Sequence, residues 1–153
     1  MKNVKNTTFK DWIGLFVGIA ITALFMVFCT PIYEFFYYDA DFANEMYNSR
    51  MYYLCAMYTC IVVWAVVITY YWLVDRWSRW WHWLIAMLIC GALAPAVNYY
   101  YADGHFMGAD EPIDFSVQLV NFSYVTMGVA LLLFVILSFC FKSLSRNCAT
   151  TPF

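Results

Sequence analysis

Residues 75–83 read DRWSRWWHW, with tryptophan at positions 77, 80, 81 and 83 and arginine at 76 and 79. An indole joins a broad apolar body to one N–H donor. It is best satisfied where hydrocarbon meets water, at the headgroup level of a bilayer. Arginines in the same stretch would meet lipid phosphates. The alternative is a cluster of ligand-binding or catalytic aromatics, and the flanking sequence argues against it. Residues 51–74, just before the stretch, carry no charge. Residues 80–102, which overlap and follow it, contain only His82. The tryptophans therefore mark a tight turn between two apolar segments, each long enough to cross a membrane.

Two more segments of the same kind lie further out. Residues 12–33 and 115–141 are also free of charge. A helix rising 1.5 Å per residue needs about 20 apolar residues to span the hydrocarbon, and all four runs meet that length. Composition agrees. The 153 residues are 65% hydrophobic and 12% charged, with a mean hydropathy of +0.66, whereas a soluble domain carries about 25% charged residues to cover its surface. The fold class expected is an all-α integral membrane protein. Four transmembrane helices, at 12–33, 51–74, 80–102 and 115–141, form an up-down bundle. Residues 1–153 make one membrane domain, because no remaining piece is large enough for a soluble one.

Basic residues orient the spans. Lys2, Lys5, Lys10, Arg76, Arg79, Lys142 and Arg146 fall on one side, and only Arg50 falls on the other. The positive-inside rule makes the first side cytoplasmic. Both termini are then inside, and a bacterial inner membrane is the setting expected. Glu34, Asp39, Asp41, Glu45, Asp103, Asp110, Glu111 and Asp114 lie on the opposite face and read as solvated acidic loops. The first span is longer than a secretory h-region and no small-x-small cleavage site follows it, so it is expected to remain as an anchor.

The interfacial anchors are taken to be Arg76, Trp77, Arg79, Trp80, Trp81 and Trp83, with Tyr70, Tyr71 and Trp72 on the same boundary. Tyr33, Phe35, Phe36, Tyr37, Tyr38, Tyr52, Tyr53, Tyr99, Tyr100 and Tyr101 form the matching belt at the other boundary. A docking handle for a cytoplasmic partner is the competing reading of the tryptophans.

Several chemistries lack their residues. None of the spans has Asp, Glu, Lys or Arg at mid-membrane, where proton-coupled transporters place them. Cys29, Cys55, Cys60, Cys90 and Cys140 lie in spans and Cys148 in the tail, without a C-x-x-C pair in any loop. They read as small apolar packing residues, although Cys29 and Cys55 are near enough in depth for a bridge. His82 and His105 stand at opposite boundaries and cannot share a metal or haem. Asp39-x-Asp41 with Glu45 lacks the glycine and terminal glutamate of an EF-hand loop. No catalytic, cofactor-binding or metal-ligating residue is assigned, and no nucleic-acid partner.

Packing chemistry remains. Gly14, Gly18 and Thr22 repeat every four residues on the first span, and Ala86, Cys90 and Ala94 do so on the third. Small residues at that spacing let helix backbones approach closely. Pro95 predicts a kink, because its ring clashes with the Gly91 carbonyl. Asn98, Gln118, Asn121 and Tyr124 make up a polar intramembrane stripe, the last three on one face of the fourth span and followed there by Gly128. The stripe is expected to face protein or water.

These features point to a non-enzymatic protein that acts by helix packing as a subunit, anchor or adaptor of a larger membrane assembly. Its partners are the lipid bilayer and either further copies of itself or other membrane subunits. The Gly14/Gly18 face is the first choice for that contact and the Gln118/Asn121 face the second. Two other readings share the sequence character: an immunity protein against a pore-forming toxin, and a small transporter or channel with an outward-facing polar cavity.

Overall fold

A computed structural model of the chain describes residues 9–73, 80–108 and 113–142, with side chains for 12–71, 80–108 and 113–142. Its elements are α1 (Phe9–Val27), α2 (Cys29–Phe36), α3 (Ala40–Asn48), α4 (Met51–Ile68) with a π-helical turn at Thr69–Leu73, α5 (Trp80–Met107) and α6 (Ser116–Phe141). The described residues contain helix and no strand. Three helical stretches are long and apolar enough to cross a membrane, at Met51–Tyr71, Trp80–Met107 and Ser116–Phe141, and a fourth exists if α1 and α2 are one bent span. Helix is the natural outcome for such sequences, because hydrocarbon offers no partner for backbone N–H and C=O groups and each segment must satisfy its own.

The first span is not a single rod. It breaks at Phe28, and α1 and α2 meet at 68°. Pro31 explains the position. It has no N–H for the Val27 carbonyl four residues earlier, and its ring crowds that carbonyl. The neighbouring bonds survive: Phe28 N–H donates to Leu24 O at 3.1 Å and Ile32 N–H to Phe28 O at 3.1 Å. The chain therefore bends without unwinding. At Pro95, where a kink is expected, the helix does not break: α5 runs from Trp80 to Met107 with Pro95 inside it.

The first acidic loop also differs from expectation. It folds as α3, whose Asp39 caps the N-terminus by accepting from Phe42 N–H at 3.1 Å. One face of α3 is apolar, and Phe42, Ala43 and Met46 are buried against the bundle. Asp41 and Asn44 face out. Arg50, with φ 56°, then turns the chain into α4. Only its left-handed conformation lets the two helices follow each other so tightly.

The most extensive pairing is between α5 and α6, followed by α4 with α5 and α4 with α6. These three helices form the core, and α1 lies along α4 and α6. Among the described side chains of α1 only Gly18 and Phe25 are buried, while Trp12, Phe16, Leu24 and Val27 are exposed. At α5–α6 the key residue is Gly91. A Cβ there would stand 2.9 Å from Leu131 Cδ2 and 3.3 Å from its Cγ, so any side chain at 91 would have to displace Leu131. Ala86, Cys90 and Ala94 are all buried on the same helix, and the Cys90 thiol rests 4.0 Å from the Ala130 carbonyl.

Candidate functional site: a polar cluster beside the helix break

Among the described residues, hydrogen bonds between side chains tie α4 to α1, α5 to α4 and α5 to α6. Trp64 Nε1 donates to Thr22 Oγ1 at 3.1 Å, joining α4 to α1, while the Thr22 hydroxyl donates to Gly18 O at 2.8 Å. Asn98 Nδ2 donates to Thr59 Oγ1 at 2.8 Å, joining α5 to α4. Trp83 Nε1 donates to Ser138 Oγ at 3.2 Å, joining α5 to α6. In an apolar setting these bonds select the register of the helices, since any slip strands a donor.

The middle bond belongs to a larger cluster. Thr59 and Asn98 are buried, as is Tyr33 of α2, just beyond the break. The Tyr33 hydroxyl sits beside Thr59, yet neither its oxygen nor Asn98 Oδ1 reaches a hydrogen-bond partner. Cys29, Cys55 and Cys60 belong to the same buried cluster as Tyr33. The ring is enclosed by Phe122 at 5.0 Å, Phe25 at 6.0 Å and Tyr52 at 6.1 Å. Above it Phe42 of α3 packs on Phe122, Phe115 and Phe106 at 5.9, 5.5 and 6.4 Å. The 68° bend makes this possible, because it swings Tyr33 from the line of α1 into the space between α4 and α6.

The expected site residues separate into two groups. Gly18 lies inside the chain's own bundle. A Cβ on it would meet Leu137 at 3.1 Å, Cys140 at 3.6 Å and Trp64 at 3.8 Å. Gly14 is half-buried one turn away and Thr22 is bonded as described. Ala86, Cys90 and Ala94 face inward. The four residues of the polar stripe do not form one surface. Asn98 is buried, Gln118 is half-buried, and Asn121 and Tyr124 are exposed on the outside of α6, where Gly128 has no neighbour within 4 Å of a Cβ.

Among the anchors, Trp80 and Trp81 are exposed and stack at 3.9 Å. Trp83 is corrected: it is a core residue, bonded to Ser138 and packed 5.6 Å from Phe134. It stands two positions after Trp81, about 200° further round the helix, and so faces inward where Trp81 faces out. Tyr70 and Tyr71 are corrected likewise. Both are buried at the π turn and meet edge to face at 4.9 Å. Tyr33 and Tyr52, expected in the opposite belt, are buried as well. Arg76, Trp77 and Arg79 lie outside the described residues. Cys29, Cys55, Cys60, Cys90 and Cys140 are free thiols, with no bridge between Cys29 and Cys55. No group of three His, Cys, Asp or Glu among the described residues is placed to hold a metal ion.

Sequence reasoning missed Tyr33, Thr59, Gly91, Trp64 and Ser138. A signal existed for two of them. Pro31 carries the same steric argument as Pro95 and marks the break that redirects Tyr33. Thr59 is a hydroxyl amid apolar residues, as Asn98 is an amide. Nothing in the sequence pairs Trp64 with Thr22 or Trp83 with Ser138. No family model matches the chain, and comparison with curated proteins and with solved structures gives no match.

Proposed function

We propose that this chain is a non-enzymatic subunit or anchor of a larger membrane assembly, held to its partners through the outer face of α6. The observation carrying this reading is the position of Asn121 and Tyr124. Both are exposed on a helix long and apolar enough to span a membrane, and the Asn121 and Gln118 side chains form no hydrogen bond with a described residue. An amide turned to lipid loses its hydrogen bonds, whereas one turned to another helix regains them. Gly128, exposed on the same helix, would let that helix come close.

The transporter reading loses its main support, because the stripe that was to line a cavity divides between the bundle's interior and its exterior. On α1, Gly18 and Thr22 meet residues of α4 and α6, which favours the α6 face as the contact surface. Two aromatic belts support a bilayer setting: Trp12, Trp80 and Trp81 are exposed toward one end, and Phe35, Phe36, Tyr38, Tyr47 and Tyr100 toward the other. The distribution of basic residues supports placing both termini in the cytoplasm.

The test is native mass spectrometry and a mild-detergent pull-down of the wild type and of Gln118→Leu with Asn121→Leu. The wild type is expected to retain a second copy or another membrane subunit, and the double variant to lose it at normal membrane levels. A lone wild-type monomer sinks the reading.

A further inference from the structure

The interior of the bundle carries an inference independent of any partner. Tyr33, Thr59 and Asn98 come from three different elements, α2, α4 and α5, and are all buried. Their hydrogen-bonding capacity is only partly used. Asn98 donates to Thr59 Oγ1 at 2.8 Å, while neither its Oδ1 nor Tyr33 Oη, which lies beside the Thr59 hydroxyl, meets a partner in hydrogen-bond geometry. Thr59 accepts from Asn98 and retains its own hydroxyl proton to donate. The cluster therefore presents two O–H donors, from Tyr33 and Thr59, and one strong acceptor, the Asn98 carbonyl oxygen. Aromatic rings and thiols close the surroundings, so no bulk water completes the set.

We propose that Tyr33, Thr59 and Asn98 form a binding site for one small, neutral hydrogen-bonding molecule, a single water, lodged inside the membrane-spanning bundle at the bend between α1 and α2. Water fits the donor and acceptor count. It accepts from Tyr33 and Thr59 and donates to Asn98 Oδ1, giving about three bonds, the usual number for a buried water. A cation fits poorly. No carboxylate belongs to the cluster, and the Thr59 oxygen already accepts from Asn98, so Oδ1 would be its one strong side-chain ligand. The water fastens α2 to α4 and α5. It thereby holds the bend that Pro31 introduces, and Tyr33 reaches the core only because of that bend.

The test uses the full chain in nanodiscs of deuterated lipid, with labelled asparagine side chains. Magnetisation transfer from water to the Asn98 amide is measured in the wild type and in Tyr33→Phe, which keeps the ring and removes one donor. Transfer is expected in the wild type and should fall severalfold in Tyr33→Phe. A thermal double-mutant cycle of Tyr33→Phe with Asn98→Leu should be non-additive, because the two side chains act through one shared molecule. Absence of transfer in the folded wild type overturns the proposal, as does transfer unchanged by Tyr33→Phe. An Asn98 amide signal that moves with sodium but not with choline would make the guest a cation and overturn it too. If Asn98→Leu does not fold, the transfer experiment on Tyr33→Phe decides alone.

Discussion

Asn98 and Asn121 are the same side chain on two helices of similar length, and they meet opposite surroundings. Asn98 is 2% exposed and bonded to Thr59 at 2.8 Å. Asn121 is exposed on α6, and its side chain is bonded to no described residue. The contrast recurs in other residue types. Gly91 is pressed against Leu131, while Gly128 has open space. Trp83 is bonded inside, while Trp81 lies outside, stacked on Trp80. Residue type therefore does not say what a polar or small residue does in an apolar helix. The neighbour it faces does. Inward, such residues set helix register; outward, they are left for lipid, water or another protein.

The glycine pair offers the strongest way to break this comparison. Gly91→Leu should disrupt α5–α6 packing, since even a Cβ falls inside contact distance of Leu131. Overpacking costs about 1–3 kcal/mol and sometimes more, and this variant belongs at or above the top of that range. Gly128→Leu should leave the melting temperature unchanged and reduce only the recovery of partners. Equal melting temperatures for the two variants would erase the distinction between the faces.

The tryptophans come next. Trp83→Phe removes the donor to Ser138 and leaves a buried hydroxyl without it, a loss of about 1–3 kcal/mol. Trp81→Phe should change thermal stability by less than about 0.5 kcal/mol. The check is thermal unfolding followed by near-ultraviolet circular dichroism, in which loss of the Trp83 signal should accompany the stability change.

For the asparagines the effects are smaller. Asn98→Leu should destabilise the bundle by about 0.6–2 kcal/mol, the range for an interhelical hydrogen bond in a membrane. Asn121→Leu should be neutral or stabilising for the isolated chain. Protection of the α4 and α5 amides from hydrogen exchange distinguishes them: it should fall in the first variant and hold in the second.

The smallest expected effect lies outside the spans. Asp114 accepts from Ser116 N–H at 3.0 Å just before α6, and this bond, with the Ser116 hydroxyl second, holds its carboxyl below the usual value of 3.8. A depressed folded pKa means that the stabilisation is fully present above the ordinary value. It is lost as pH falls through the lower, folded one. The Ser116 amide resonance should therefore stay constant down to the ordinary carboxylate range and shift only below it, and Asp114→Asn should abolish that shift. Because Asp114 is fully exposed, global stability should barely respond.

Much of the architecture was legible in the chain. Four apolar runs appear as three helices long and apolar enough to cross a membrane and one bent pair, with ends within a few residues of expectation except at α5, which continues from the expected 102 to Met107. The bend at Pro31 was legible too, by the rule applied to Pro95, but that rule does not say which proline a structure tolerates. The acidic segment read as a solvated loop because its five-residue spacing of Phe42, Ala43 and Met46 is too short to stand out from the charges around it. The stripe and the tryptophan belt were half legible. Periodicity places residues on a common face and leaves open which way that face turns.

By itself the sequence pointed to a bilayer as the solvent. Runs of about 20 uncharged residues cannot be covered with water-facing groups, and helices are the structure that satisfies their backbones in lipid. It also determined which residues could allow close packing, because lack of a side chain is a local property, but not which of them do: a Cβ at Gly91 would meet Leu131 and one at Gly128 would meet nothing. Tertiary structure alone decided direction. The long helices α4, α5 and α6 carry apolar residues on every side, so the ordinary hydrophobic pattern that points one helix face to a core is missing. What turned Trp83, Tyr70 and Asn98 inward and left Asn121 and Tyr124 outside were contacts far apart in the chain: Asn98 with Thr59, Trp83 with Ser138, and Tyr33 brought among the rings of Phe25, Tyr52 and Phe122 by the bend at Pro31.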